Sequence, residues 1–228
     1  MTLNDLERAV KDLRSGKIIL LHDSYKRENE VDMVMAAQFV KPQDIAKMRK
    51  DAGGLICVAI HHNLWHKLGL PFMDDLLGFS KEKFPVLNHL RADDISYDRR
   101  SSFSITVNHR RTFTGITDKD RALTIRKLAE FFSLEEISRE KFGEEFRSPG
   151  HVPLLLATSL KNRQGHTELS TTLLEISGLI PVAVICEMLD SETYEALKWR
   201  DAAKYARENN TVLISGDDIL RKLKLMNR

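Results

Sequence analysis

Four short apolar runs, at residues 18–21, 55–60, 152–156 and 181–186, constrain this chain most. Each is short, apolar and rich in β-formers, as a strand covered on both faces should be. Between them the apolar period changes. Leu3, Leu6, Val10 and Leu13 recur at helical spacing and stop at Gly16, and a helix over residues 42–51 closes at Gly53-Gly54. Further helices are predicted over 118–131, from about 165–167 to Gly178, and over 191–208. Residues 33–37 and 211–214 read as strands, while Phe103, Ile105 and Val107 alternate with Ser104 and Thr106 as a half-buried one. Residues 112–117 form a threonine-rich connection, residues 147–150 a loop feeding the strand at 152–156, and Ser215 with Asp218 caps a short last helix. No repeat, low-complexity tract or linker interrupts this scheme, so residues 1–228 read as one α/β or α+β domain.

With 42% hydrophobic and 30% charged residues, the chain can fill a core and solvate a surface, which excludes disordered, collagenous and disulfide-scaffold classes. The 35 Lys+Arg against 33 Asp+Glu leave a net charge of +2, enough room for a local anion pocket but no bulk field. Nucleic acid is not an expected partner, because the basic run at Arg99-Arg100 and His109-Arg110-Arg111 has few aromatics beside it. No membrane association is expected either: no segment nears the roughly 18 apolar residues of a spanning helix. Asp5, Glu7 and Asp12 also break the apolar pattern that a secretion signal needs. Cys57 and Cys186 lie far apart without metal-knuckle spacing, which fits the reducing cytoplasm.

Polar residues concentrate where these elements end. Arg27-Glu28-Asn29-Glu30-Val31-Asp32 places three carboxylates and an arginine within six residues, directly after a buried strand. Such carboxylates repel one another unless a cation offsets them, which makes them candidate oxygen ligands for Mg²⁺ or Mn²⁺; a solvated acidic turn has the same composition. Arg163-Gln164-Gly165-His166-Thr167-Glu168 opens a helix with an arginine fork, backbone N–H groups and a hydroxyl, parts that suit a phosphate monoester. His166 and Glu168 there are candidate ligand or acid/base groups, although an ordinary capped helix start looks alike. His151 at the mouth of a strand, and Glu187 directly after an apolar run, suit proton transfer or plain structural duty. Cys57 reads as a small buried hydrophobe, and Thr114-Gly115-Ile116-Thr117 as a weak anion-binding turn. His61, His62 and His66 lack nearby carboxylates and read as structural.

Taken together, Arg27-Glu28-Asn29-Glu30-x-Asp32, Gly53-Gly54-Leu55-Ile56-Cys57, Thr114-Gly115-Ile116-Thr117, Arg147-x-Pro149-Gly150-His151, Arg163-x-Gly165-His166-Thr167-Glu168 and Cys186-Glu187 resemble, in order, the motifs of the 3,4-dihydroxy-2-butanone 4-phosphate synthase family. The resemblance spans essentially the whole chain, with no second cyclohydrolase domain. It implies an α+β fold, a single domain with a mixed β-sheet flanked by helices, assembled as a homodimer with active sites at the subunit interface. It further implies a carbon–carbon lyase of riboflavin biosynthesis that converts D-ribulose 5-phosphate to L-3,4-dihydroxy-2-butanone 4-phosphate and formate. The steps are enolisation, loss of the C1 hydroxyl, skeletal migration and release of C4, with Mg²⁺ (or Mn²⁺), up to two ions per active site, offsetting enediolate charge.

By motif matching, Glu28 and His166 are implied as the metal ligands, and Arg27 and Asp32 as substrate-holding groups. Arg163 and Thr167, joined by Thr114, are implied to grip the phosphate, and Gln164 and Gly165, with Glu28, His166 and Glu187, to contact the substrate. His151 and Glu187 are implied as acid/base partners, with Asp23, Cys57, Glu30 and Glu168 as further members of the site. Two departures stand out. Val31 replaces a glycine common in the acidic motif and is expected to stiffen that loop; Ser148 lengthens the usual Arg-Pro-Gly-His run. Two other readings use the same parts: a sugar-phosphate-binding module would not require Glu187 and His151, and a metal-dependent phosphohydrolase would release inorganic phosphate instead of formate.

Overall fold

Apolar runs become strands where period-two burial lets both faces be covered. In the computed structural model, which describes residues 3–90, 92 and 94–226, these are β1 (Ile19–His22), β2 (Val31–Ala36), β3 (Cys57–Ile60), β4 (Phe103–His109), β5 (Phe146–Leu156), β6 (Val182–Glu187) and β7 (Leu213–Ser215). They form one mixed sheet in the order β4-β5-β3-β6-β2-β1-β7. The β3–β5 and β1–β7 pairs are parallel, and the other four are antiparallel. The helices are α1 (Leu3–Arg14), α2 (Pro42–Lys47), α3 (His62–Leu68), α4 (Met73–Ser80), α5 (Asp118–Phe132), α6 (Arg139–Glu145), α7 (His166–Ile176), α8 (Trp199–Glu208) and α9 (Gly216–Met226).

Side chains of alternate parity go to opposite cores. Met33, Met35, Val58, Val184 and Cys186 pack with α2, α5 and α8 through residues such as Ile45, Ile125 and Ala202. Val34, Ala36, Cys57, Ala183 and Ile185 pack on the other face with Leu13 of α1, Leu169 and Leu173 of α7, and Ile219 of α9. Parity therefore sends Asp32 and Glu187, which are register partners on β2 and β6, to the α7 face. The mixed sheet flanked by helices is the fold that the resemblance implied.

Local expectations differ at five points. The helix over 42–51 is α2 followed by a π-helical turn, Met48–Ala52, which Gly53 closes at φ 88°. The predicted helix over 191–208 begins only at Trp199, because Asp190 accepts the Glu192 and Thr193 N–H groups and Leu189 bridges Ala196. Residues 147–150 belong to β5 and are no feeding loop. On β4, Phe103 is 39% exposed while Ser104 is buried and donates to the Pro71 carbonyl, since a register shift between Phe103 and Thr106 breaks the alternation. The last helix has 11 residues; its Ser215 Oγ donates to Asp218 at 2.7 Å, the expected cap.

Candidate active site

One end of the sheet collects the acidic motif. Asp23 follows β1 and is buried; its carboxylate accepts from the backbone N–H of Glu28 (3.1 Å) and Glu30 (3.3 Å) and from Arg27 Nη1 (3.1 Å). These bonds fold residues 23–30 into a loop that turns Glu28 inward. The left-handed residue in that loop is Asn29, at φ 56°, and His22 Nε2 lies 3.0 Å from its Oδ1. Val31, expected to stiffen the loop, instead stands in β2, fully buried and opposite His22. An extended, covered position suits a β-branched residue, so its substitution for glycine leaves the loop unaffected.

Helix α7 starts against this loop. Gly165 is its N-cap, and the Glu168 carboxylate reaches back to the Gly165 N–H (3.3 Å). Glu168 has no exposed surface and also accepts from Thr158 N (2.8 Å) and Arg163 Nη1 (2.7 Å), so it anchors the arginine. A Cβ on Gly165 would lie 2.5 Å from Arg163 Nη1 and 2.9 Å from Arg27 Nη1, so only glycine lets both guanidiniums converge here. Glu168→Ala is expected to lower the unfolding free energy by about 3 kcal/mol, since Arg163 would lose its buried partner; urea denaturation measures it, and a change within ~0.5 kcal/mol would show that Glu168 is not an anchor.

His166, in the first turn of α7, is buried between the two segments. Its Nδ1 lies 3.2 Å from Glu28 Oε2, and its Nε2 lies 3.2 Å from the Glu30 carbonyl and 3.7 Å from Asp32 Oδ1. Burial alone would push the imidazole pKa down, but the Asp32, Glu28 and Asp23 carboxylates outweigh it and raise it to about 9. Burial raises Asp32 to about 8; His166 opposes that shift, and the negative Glu187, Glu28 and Glu30 add to it. For Glu28, burial works upward, but the His166 hydrogen bond and charge, with Arg27 and Arg163, leave it below its ordinary value. Asp32 Oδ1 is buried without a hydrogen-bond partner.

These features fit a hard divalent cation. Asp23, Glu28 and His166 each offer a ligand atom, all within 4.8 Å of one another. Oxygen donors with one imidazole suit Mg²⁺ or Mn²⁺. The crowded carboxylates call for positive charge, which is why they hold the His166 pKa up, and Asp32 keeps a carboxylate oxygen unsatisfied. Glu28 and His166 could hold such an ion, as could Asp23, whose carboxylate is also engaged in folding the loop.

Around this cluster lies a cavity of about 140 Å³ whose lining includes Glu28, Asp32, Asp98, Arg163, His166, Thr167 and Glu187. Half-buried Glu187 accepts the Leu55 N–H at 2.8 Å, with Gly54 N donating to its carbonyl at 3.0 Å. Cys57 lies fully buried in β3, its thiol pushed up by burial and then by Glu187 and Asp32, so it stays protonated and packs beside the carboxylates. Gln164 is exposed and turned to the Leu160 carbonyl. His151 and Thr114 do not line the cavity. They gather instead around Asn108, whose Nδ2 lies 3.0 Å from His151 Nδ1 and 3.4 Å from the Thr114 carbonyl. His61 faces Glu175 at 3.7 Å, away from the site.

Asp98 was not anticipated. It accepts from Arg163 Nε (2.8 Å) and from Arg27 Nη2, while the Arg27 guanidinium lies over the Tyr97 ring. No local signal in the sequence marks it, since Asp98 lies 71 residues from Arg27 and 65 from Arg163 and outside both motifs.

A family model described as 3,4-dihydroxy-2-butanone 4-phosphate synthase matches residues 7–222. The chain belongs to this family. A synthase of that name from Methanothermobacter thermautotrophicus is 49% identical over 217 residues, 94% of each chain. The solved 3,4-dihydroxy-2-butanone 4-phosphate synthase of Candida albicans superposes with a TM-score of 0.73, at 26% identity over 96% of both chains. Another synthase of this family, solved with two magnesium ions, shares the fold at a TM-score of 0.78 and 24% identity, over 97% of both chains. Among the described residues, no helix is long and apolar enough to cross a membrane.

Proposed function

We propose that residues 1–228 form one catalytic domain that converts D-ribulose 5-phosphate to L-3,4-dihydroxy-2-butanone 4-phosphate and formate for riboflavin biosynthesis in the cytoplasm. The observation that carries this reading is the Glu28–His166 contact beside the unsatisfied Asp32 oxygen and the two converging arginines. Arg163 and Thr167 grip the phosphate at the start of α7, and Arg27 and Asp32 help hold the substrate. Bound Mg²⁺, or Mn²⁺, up to two ions per site, supplies positive charge against negative charge developing on substrate oxygens. Glu187, half-buried and fixed by the Leu55 N–H, moves protons at the reacting carbons as an acid/base group. The direct test is formate release from D-ribulose 5-phosphate with Mg²⁺, with EDTA and inorganic-phosphate controls. Stoichiometric, EDTA-sensitive formate is expected; phosphate without formate would mean a phosphohydrolase, and binding without either product a non-catalytic module.

The chain works as a homodimer whose active sites combine two copies. Support comes from the separation of its chemistry into two clusters: the cavity, and the exposed His151 held with Thr114 by Asn108. In this arrangement each cavity receives His151 and Thr114 from the second copy. Mixing inactive Glu28→Ala and His151→Ala chains then regenerates one intact site in every mixed dimer, or about a quarter of wild-type activity at random pairing. No recovery, with mixed dimers demonstrated, would place His151 in its own chain's site.

A further inference from the structure

Two guanidiniums meet beside the cavity, where Glu28 Oε1 lies 3.5 Å from Arg27 Nη2 and 3.8 Å from Arg163 Nη2, and each is held further by one carboxylate that is built in and by one that is not. Arg27 is tied to Asp23, which two backbone N–H groups fix, and Arg163 to Glu168, which Thr158 and Gly165 fix. Both also donate to the same oxygen of Asp98, Oδ2. Asp98 makes no other hydrogen bond among the described residues. Residues 94–101 make no backbone–backbone hydrogen bond there either. Apart from Asp98, that segment is tied down through Tyr97, whose ring lies 5.5 Å from the Arg27 guanidinium, and through Arg100, which lies 3.5 Å over the Phe72 ring and 3.4 Å from Asp75, an exposed pair. Asp98 itself is nearly buried, with 9% of its side chain exposed.

We infer that Asp98 is an internal stand-in for the substrate's phosphate: its carboxylate occupies the place between Arg27 and Arg163 that a phosphate monoester takes, and substrate entry displaces it. This rests on the proposed reading of Arg163 and Thr167 as the phosphate grip. Two guanidiniums brought together without an anion would repel one another, so a resident carboxylate keeps the grip assembled before substrate arrives. A phosphate dianion outcompetes it because it carries more charge, offers three acceptor oxygens for bidentate bonding, and can also take the Thr167 hydroxyl and the helix N-terminus. Asp23 and Glu168 do not yield, since each would abandon backbone donors. Asp98 thereby weakens the binding of any phosphate-bearing ligand, the more so the larger the share of time it spends in place.

The sign of a substitution tests this. Titrating inorganic phosphate calorimetrically into the full chain, Asp98→Asn and Asp98→Ala should bind about tenfold more tightly than wild type, the equivalent of one charge-assisted hydrogen bond no longer competed for. Asp98→Glu, which keeps the competing charge, should stay near wild type. Unchanged or weaker phosphate binding in Asp98→Asn and Asp98→Ala, with binding still lost in Arg163→Gln, would make Asp98 a group that orients the arginines and would overturn the inference. Phosphate binding indifferent to Arg163→Gln would overturn the grip itself.

Discussion

Glu28→Gln and His166→Asn should each cut Mg²⁺-dependent formate release by about a thousandfold. That is the expected loss when roughly 4 kcal/mol of charge stabilisation by a metal is forfeited. Glu28→Gln is isosteric and His166→Asn is a smaller polar side chain, so the fold should survive; far-UV circular dichroism and urea denaturation check this. The second readout is independent of turnover. Wild-type protein should gain thermal stability with added Mg²⁺, and both variants should lose that gain, because a ligand that binds only the folded chain stabilises it. A variant that retains near-normal Mg²⁺-dependent turnover removes its residue from the ligand set. The geometry behind this expectation is specific: His166 and Glu28 come from segments 138 residues apart and meet at 3.2 Å, with the unsatisfied Asp32 oxygen beside them.

Gly54→Ala is expected to lower kcat about a hundredfold although Gly54 does not line the cavity. A Cβ there would lie 2.5 Å from Glu187 Oε2, 2.6 Å from its carbonyl and 2.8 Å from its Cβ. Backbone cannot move aside as a flexible side-chain end can, so β6 and the carboxylate must both shift. A displacement of about 1 Å at a reacting group costs on the order of 10²-fold in rate. Overpacking should also cost about 1–3 kcal/mol of stability, which leaves a folded enzyme to measure. Glu187→Gln separates the two effects: it keeps an acceptor for the Leu55 N–H but loses the base, so kcat should fall while KM stays near wild type. If Gly54 acts through Glu187, adding Gly54→Ala to Glu187→Gln should lower kcat little further. Additive losses would show that Gly54 serves another purpose.

Much of this site was readable along the chain because its parts lie in short motifs at the ends of elements. The acidic run after β1, the arginine and glycine before α7, and Glu187 at the end of β6 all declare themselves by density or position. Strand parity adds to this only once the bounds of the strands are known. With Val34 and Ala36 on one face of β2, Asp32 must share it, and with Ala183 and Ile185 on one face of β6, so must Glu187. Cys57 was read both ways, and its burial favours the packing role. The errors arose where local patterns met non-local pairing. On β4, the apolar alternation promised a buried Phe103, but a register shift against β5 put Ser104 inside instead. The helix expected from residue 191 was shortened by a turn that Asp190 organises. Val31 was assigned to a loop because its neighbours are charged, yet pairing with His22 draws it into the sheet.

The sequence by itself determined the alternation of strands and helices, the two apolar faces of the sheet, and the residue types available for binding a cation and an anion. Hydrophobic period and motif composition are local properties, and they carry that far. Only the tertiary structure decided which charges meet. Asp98 joins Arg27 and Arg163 across separations of 71 and 65 residues. The His166 pKa is raised because the Asp32, Glu28 and Asp23 carboxylates surround it in a buried space, and His151 and Thr114 stand apart from the cavity because Asn108 collects them on a different part of the sheet. Such encounters depend on topology and burial. Electrostatic interactions between groups distant in sequence become strong only when the fold removes the water between them.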